Sequence, residues 1–263
     1  MSSRVWVLAG LIPLIGLTGC DAGPGWRGET RPAAGAAAGY LTPPRVESAR
    51  AGAGGVTLAG TAAPLARVRL GSPTGEALFA DADERGRWTI TAPRSDDVRL
   101  YGLSMSLAKR SVQSEGYLAI TPDGRAAQLR AAGGAWVLAA ASRRPVILAL
   151  DYDRDGAAMI SGVGTPDAEI GLRVDRTAFG GANIDRQGRY SFALSRPLAA
   201  GVHAFEISAE GGEDLLTVAI ARPTPLDRPF VAVRQDRAWR IDWMTPGGGV
   251  QTTLLFDPAG PAG

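Results

Sequence analysis

The stretch Gly60-Thr61-Ala62-Ala63-Pro64-Leu65-Ala66-Arg67-Val68-Arg69-Leu70 returns 102 residues later as Gly162-Val163-Gly164-Thr165-Pro166-Asp167-Ala168-Glu169-Ile170-Gly171-Leu172. The spacing holds without a gap to a second pair of blocks. Asp83-Glu84-Arg85-Gly86-Arg87-Trp88-Thr89-Ile90 faces Asp185-Arg186-Gln187-Gly188-Arg189-Tyr190-Ser191-Phe192. Further on, Leu118-Ala119-Ile120 matches Val218-Ala219-Ile220, and Ala135-Trp136-Val137-Leu138 matches Ala238-Trp239-Arg240-Ile241, with the offset drifting between 100 and 103. A period of about 100 residues is the length of a domain. Solenoid repeats recur every ~20–50 residues. The chain therefore reads as two similar units, 45–142 and 145–256, followed by a tail at 257–263.

Within each unit the apolar residues have period two. Val56, Leu58, Val68 and Leu70 fall on one side of their segments and Thr57 and Arg69 on the other, and Ile160 takes the place of Leu58 in the second copy. That alternation marks half-buried strands. Turn residues punctuate it at Ala63-Pro64, Pro73-Thr74-Gly75, Glu84-Arg85-Gly86, Pro122-Asp123-Gly124 and Gly133-Gly134. Many short strands with frequent turns predict an all-β chain of two antiparallel β-sandwiches. An extra β-hairpin is expected at the end of each unit, over Ala127–Ala139 in the first and Phe230–Phe256 in the second. In the second, Trp239, Ile241 and Trp243 share a strand face, Pro246-Gly247-Gly248-Gly249 turns, and Val250–Phe256 returns.

The shared pattern Gly-x-x-x-Pro-x-Ala-x-Val, followed by Asp-x-x-Gly-x-Trp, resembles the bacterial immunoglobulin-like repeats of surface and envelope proteins. The second copy departs from it with Ile170 for the valine and Tyr190 for the tryptophan. The resemblance covers residues 58–92 and 160–194 and implies tandem immunoglobulin-like sandwiches. It says little about function, because this sandwich hosts many unrelated roles.

Ahead of the repeats, Arg4 precedes an apolar run from Val5 to Leu17 that ends in Leu17-Thr18-Gly19-Cys20, and Cys20 is the only cysteine. The run is shorter than the ~20 apolar residues a membrane-spanning helix needs. A charged start, an apolar core and small residues before a cysteine resemble a bacterial lipoprotein signal with its lipobox. The resemblance implies cleavage of residues 1–19 and a diacylglycerol joined through a thioether to Cys20, so that the membrane is a partner through the lipid. It also implies a protein held in the cell envelope and facing the periplasm. Asp21 resembles an inner-membrane retention signal of enteric bacteria, and the choice between inner and outer membrane stays open. Residues 20–44, rich in Gly, Ala and Pro, read as a flexible tether with an r.m.s. span of roughly 25–30 Å.

Composition narrows the partners. The formal net charge is +2, without a basic run, which argues against a nucleic-acid partner. One cysteine forms no internal disulfide, so stability rests on packing, for which 45% hydrophobic residues suffice. Oligomeric state is left open.

Few segments suggest chemistry. Ser106-Leu107-Ala108-Lys109 matches the Ser-x-x-Lys of penicillin-binding proteins, but Lys109 is the only lysine and no Lys-Thr-Gly partner exists. The segment around it alternates like a strand. Asp151-Tyr152-Asp153-Arg154-Asp155-Gly156 places Asp151, Asp153 and Asp155 like the first half of a calcium loop, yet Gly162 stands where the twelfth-position acid belongs. A solvated turn is the preferred reading, and no cofactor beyond the lipid is expected. His203, the sole histidine, lacks companions for a triad or zinc site. Trp239 and Trp243, roughly 13 Å apart on one strand face, would suit successive sugar rings or a partner protein. They suit a sandwich core as well, and Trp136 matches Trp239 in the first copy. The chain thus reads as a non-enzymatic, lipid-anchored interaction or scaffold module of the envelope. A peptidoglycan- or polysaccharide-binding lipoprotein is the alternative and an envelope hydrolase the third.

Overall fold

The structure, a computed structural model, describes residues 40–257. The signal, Cys20 and most of the tether lie outside the described residues. Residues 41–257 group as one compact unit, built from twenty antiparallel strands.

Repeat one runs β1 (Arg45–Gly52), β2 (Gly55–Thr61), β3 (Arg67–Gly71), β4 (Ala77–Asp81), β5 (Arg87–Pro93), β6 (Arg99–Leu107), β7 (Arg110–Gln113), β8 (Tyr117–Ile120), β9 (Ala126–Leu129) and β10 (Trp136–Val137). Its first sheet has the order β1-β2-β5. Its second runs β10-β9-β8-β6-β3-β4, with β7 also paired to β6. Repeat two runs β11 (Val146–Asp153), β12 (Ala158–Val163), β13 (Glu169–Val174), β14 (Thr177–Asn183), β15 (Arg189–Ala193), β16 (Gly201–Ala209), β17 (Gly212–Ile220), β18 (Phe230–Gln235), β19 (Ala238–Met244) and β20 (Val250–Phe256). Its sheets are β15-β12-β11-β20-β19-β18 and β14-β13-β16-β17. Strands β1 to β6 thus correspond to β11 to β16 in order and pairing, and both repeats are immunoglobulin-like sandwiches.

The shared motif has the same physical job in both copies. Gly60 pairs with Trp88, and Gly162 with Tyr190, across neighbouring strands. A Cβ at either glycine would stand 1.9 Å from a backbone carbonyl, that of Arg45 or Val146, and also press on the aromatic ring. Only glycine lets the ring lie over the strand. Asp83 Oδ1 accepts the N–H groups of Arg85 and Arg87 at 2.9 and 2.8 Å, and Asp185 Oδ1 those of Gln187 and Arg189, both at 2.9 Å. These Asx turns carry Gly86 and Gly188 at φ 77° and 78°, where glycine has no steric penalty.

The drift of the repeat offset has a structural cause. β17 pairs with β16 along its whole length, whereas its counterpart is broken into β7 and β8 around Ser114-Glu115-Gly116. The two additional residues of repeat one sit in that break.

The closing hairpins attach to different sheets. In repeat one, Thr121-Pro122-Asp123-Gly124-Arg125 makes a tight turn, with Gly124 at φ 86° and the Thr121 N–H donating to Arg125 O at 2.9 Å, so β9 pairs directly with β8. In repeat two the corresponding link is Ala221-Arg222-Pro223-Thr224-Pro225-Leu226-Asp227-Arg228-Pro229. Three prolines withhold N–H donors from any continued ladder. The chain crosses to the other sheet, where β18, β19 and β20 form a meander that pairs with β11 through β20. Trp136 and Trp239 match in sequence but occupy different places, one at the end of a second sheet and one in an extended first sheet.

This difference lets the sandwiches stack. Three apolar clusters alternate with four sheets. The first, with Leu58, Val68, Leu70, Trp88 and Met105, fills repeat one. The second, with Leu150, Ile160, Leu172, Phe205 and Leu254, fills repeat two. The third joins Leu100, Ala127 and Leu129 of repeat one to Ile241, Trp243 and Leu255 of repeat two. The six-stranded sheet of repeat two is consequently buried on both faces along β11 and β20, with Asp151, Gln251, Thr252 and Thr253 as polar residues within an otherwise apolar surround.

Candidate binding cleft at the seam between the repeats

Trp243 is the anchor of the seam. It is fully buried, its Nε1–H donates to Thr253 Oγ1 at 3.1 Å, and the Tyr117 ring of repeat one meets it edge-on at 5.8 Å. Beside it lies a polar clasp. Asp151, 3% exposed, accepts the Ala135 N–H of repeat one at 2.6 Å and the Thr253 hydroxyl at 2.5 Å, with the Gln251 amide 3.4 Å away. Gln251 in turn accepts the Ala132 N–H and donates to Arg130 O, both at 3.3 Å, while Ser161 Oγ donates to Ala135 O at 2.6 Å. Burial pushes the Asp151 carboxyl up to about 6, against the pull of these donors and of the Arg130 charge. At the other end of the seam Arg125 donates to Phe256 O at 2.5 Å and pairs with Asp257 at 2.9 Å.

Above the clasp the repeats part to leave a cleft of about 300 Å³. Arg130, Trp136 and Val137 line it from repeat one, and Ser161, Asp185 and Arg189 are among the residues lining it from repeat two. Arg130, Trp136 and Arg189 also line a groove of about 760 Å³ that reaches Arg45, Glu47 and Gln128. Both volumes lie in the ~300–1,000 Å³ range of ligand sites. Half-buried Trp136 stands at the centre. The Arg189 guanidinium stacks 3.8 Å from the centre of its ring, with Arg130 at 5.9 Å. Arg189 is itself oriented by Asp185 at 3.1 Å and by Gln187 Oε1 at 3.1 Å. Arg130 is tied to its own turn, donating to Gly133 O at 2.6 Å and Gly134 O at 3.2 Å. The Trp136 Nε1–H is shielded from solvent and has no acceptor in the protein. The Trp136 indole is thus firmly braced in a cleft lined by both repeats.

The residues singled out from sequence fall elsewhere. Trp239 and Trp243 do share a strand face with Ile241, but that face is the seam: Trp243 has no exposed surface, while half-buried Trp239 lies under Arg234 at 5.7 Å. The pair is not an open aromatic platform. Asp151, Asp153 and Asp155 do not converge. Asp151 is spent in the clasp, Asp153 Oδ1 caps a turn by accepting the Asp155 and Ala157 N–H groups at 2.9 Å, and Asp155 is exposed. Among the described residues no group of three His, Cys, Asp or Glu side chains is arranged to hold a metal ion. The residue of repeat one equivalent to Asp151 is Arg50, as the paired registers Arg50↔Thr57 and Asp151↔Met159 show, one place along from the Ala49 expected by constant offset.

Ser106 lies one residue before the end of β6, and Ala108-Lys109, at φ 47° and 66°, form the two-residue turn into β7, so this segment is a hairpin and not a helix start. His203 is held by Asp175 at 2.7 Å and Ala199 O at 3.0 Å. The Ala204 N–H and His203 together hold the Asp175 carboxyl below its usual value. Cys20 lies outside the described residues. Sequence reasoning noted Trp136 as a repeat match and passed over Arg130, Asn183 and Arg189. The available signal was the Asp-x-x-Gly-Arg motif, whose second arginine, Arg189, braces the indole.

No family model and no curated protein matches this chain. Among solved structures, the chain is similar to one titled "Biofilm associated protein - BSP domain", at 13% identity and a TM-score of 0.25, over 70% of this chain and 30% of that one. It thus spans under a third of that protein's length. A second, titled "Central Fibronectin-III array of RIM-binding protein", is 11% identical at a TM-score of 0.25, over 83% of this chain and 89% of that one.

Proposed function

We propose that this protein is a non-enzymatic interaction module of the bacterial cell envelope, tethered by a diacylglycerol on Cys20 and binding its partner in the cleft at the seam. The observation that carries the binding reading is the cleft itself, which neither repeat forms alone and in which Trp136 is held by Arg189 of the other repeat at 3.8 Å. The anchor rests on the lipobox-like Leu17-Thr18-Gly19-Cys20. Two acyl chains hold far more firmly than one, at about 0.8 kcal/mol per buried CH₂.

Both halves are testable in cells. Labelling with a clickable fatty acid is expected in the wild type and absent in Cys20→Ser; persistent labelling overturns the anchor. A photo-crosslinking amino acid at Gln128 or Gln187, both on the groove, is expected to trap a discrete adduct, and the same group at exposed Glu84 none. Equal yields from all three positions overturn the cleft as the binding surface.

A further inference from the structure

We infer that the seam cleft binds a neutral, unbranched oligosaccharide; this rests on the cleft being the protein's binding surface. Shape is the first argument. The cleft and the adjoining groove share Arg130, Trp136 and Arg189, so the site is elongated and suits a chain of rings better than a single compact molecule.

Charge is the second. Arg45, Arg130 and Arg189 are offset by Glu47, Glu115 and Asp185, and Arg189 is already paired with Asp185. A lining without net charge offers no attraction to an acidic polymer or a basic peptide. It does offer donors and acceptors side by side, including the amides of Gln128, Asn183 and Gln187. Sugar hydroxyls both donate and accept, and each must find a partner when it leaves water.

The third argument is Trp136. It is half-buried and lines both the cleft and the groove, so its open ring surface is apolar area against which the C–H face of a pyranose loses water.

The test uses the full chain in a detergent without a sugar headgroup, titrated calorimetrically with chitotetraose, maltotetraose and cellotetraose. At least one is expected to bind with a Kd of about 1 mM or tighter, a range within calorimetric reach. Trp136→Ala and Asn183→Ala are each expected to weaken it by about tenfold or more. Asn183 is exposed, so its variant reads the cleft without disturbing the fold, and Trp136→Phe keeps a ring there should the alanine variant unfold. No heat with any of the three sugars, or heat unchanged in Asn183→Ala, overturns the inference. The two readings fail differently. A protein adduct trapped from Gln128 without sugar binding removes the oligosaccharide and keeps the cleft, whereas equal crosslinking from Glu84 removes the cleft with it.

Discussion

β1 and β11 hold the same place in their repeats, each carrying a register shift near its start and pairing with the second strand of its sandwich. Their sequences are unlike: Arg-Val-Glu-Ser-Ala-Arg-Ala-Gly against Val-Ile-Leu-Ala-Leu-Asp-Tyr-Asp. β1 is a sheet edge with one face in solvent, and it alternates polar and apolar residues. β11 has β12 and β20 on either side and an apolar layer above and below, so it is nearly continuously apolar. One fold position tolerates both because the sandwich core needs only every second residue. The other residues report what lies on the outer face, which for β11 is a second sandwich.

This contrast can be broken most severely at Trp243. Trp243→Ala empties the middle of the seam and is expected to cost about 3–5 kcal/mol in denaturant unfolding, the range for large buried aromatics. If the seam is the weakest layer, the transition also loses cooperativity, which near- and far-ultraviolet circular dichroism would report as separate midpoints.

Next in size is a pH effect. Because the Asp151 carboxyl titrates near 6 when folded and near 3.8 when unfolded, the folded state binds the proton more tightly. Its contribution is therefore most favourable below pH 4 and is lost as the pH rises through 6. The difference in stability between wild type and Asp151→Asn is expected to change by about 2 kcal/mol between pH 4 and pH 7. A difference that stays flat with pH would contradict a buried carboxylate in the clasp. The matched substitution in repeat one, Arg50→Ala, should show no such pH dependence and change stability by less than about 0.5 kcal/mol, since Arg50 is exposed.

Where the copies agree, mutation should not tell them apart. Gly60→Ala and Gly162→Ala meet a carbonyl at the same 1.9 Å, and each is expected to cost about 1–3 kcal/mol. A large inequality would mean that the seam relieves or adds strain in repeat two.

The sandwiches, their strands and the Asx turns were legible because the motif residues interact within one repeat: Gly60 with Trp88, Asp83 with Arg87. The divergent routes of the closing hairpins were also written in the chain, as a tight turn at Pro122-Asp123-Gly124 against three spaced prolines, though a constant-offset alignment obscured them. The burial of Trp243 was one of two readings, because period two is the same for a core and for an exposed aromatic face. The cleft was not legible. Its lining comes from Arg45 to Arg189 and becomes adjacent only when the third apolar layer closes, and no local spacing encodes that closure.

The both-faced burial of the β11 and β20 sheet also bears on how this molecule can be inherited or dissected. An ordinary tandem array can be cut between beads and each bead kept. Here a cut in 139–145 would leave the second half showing Ile241, Trp243 and Leu255 to water and the first half showing Leu100 and Leu129. Proteolysis at that linker should leave the halves bound together, and either half expressed alone should aggregate. The duplication has produced a pair that is indivisible, so that the smallest viable piece of the protein is both copies at once.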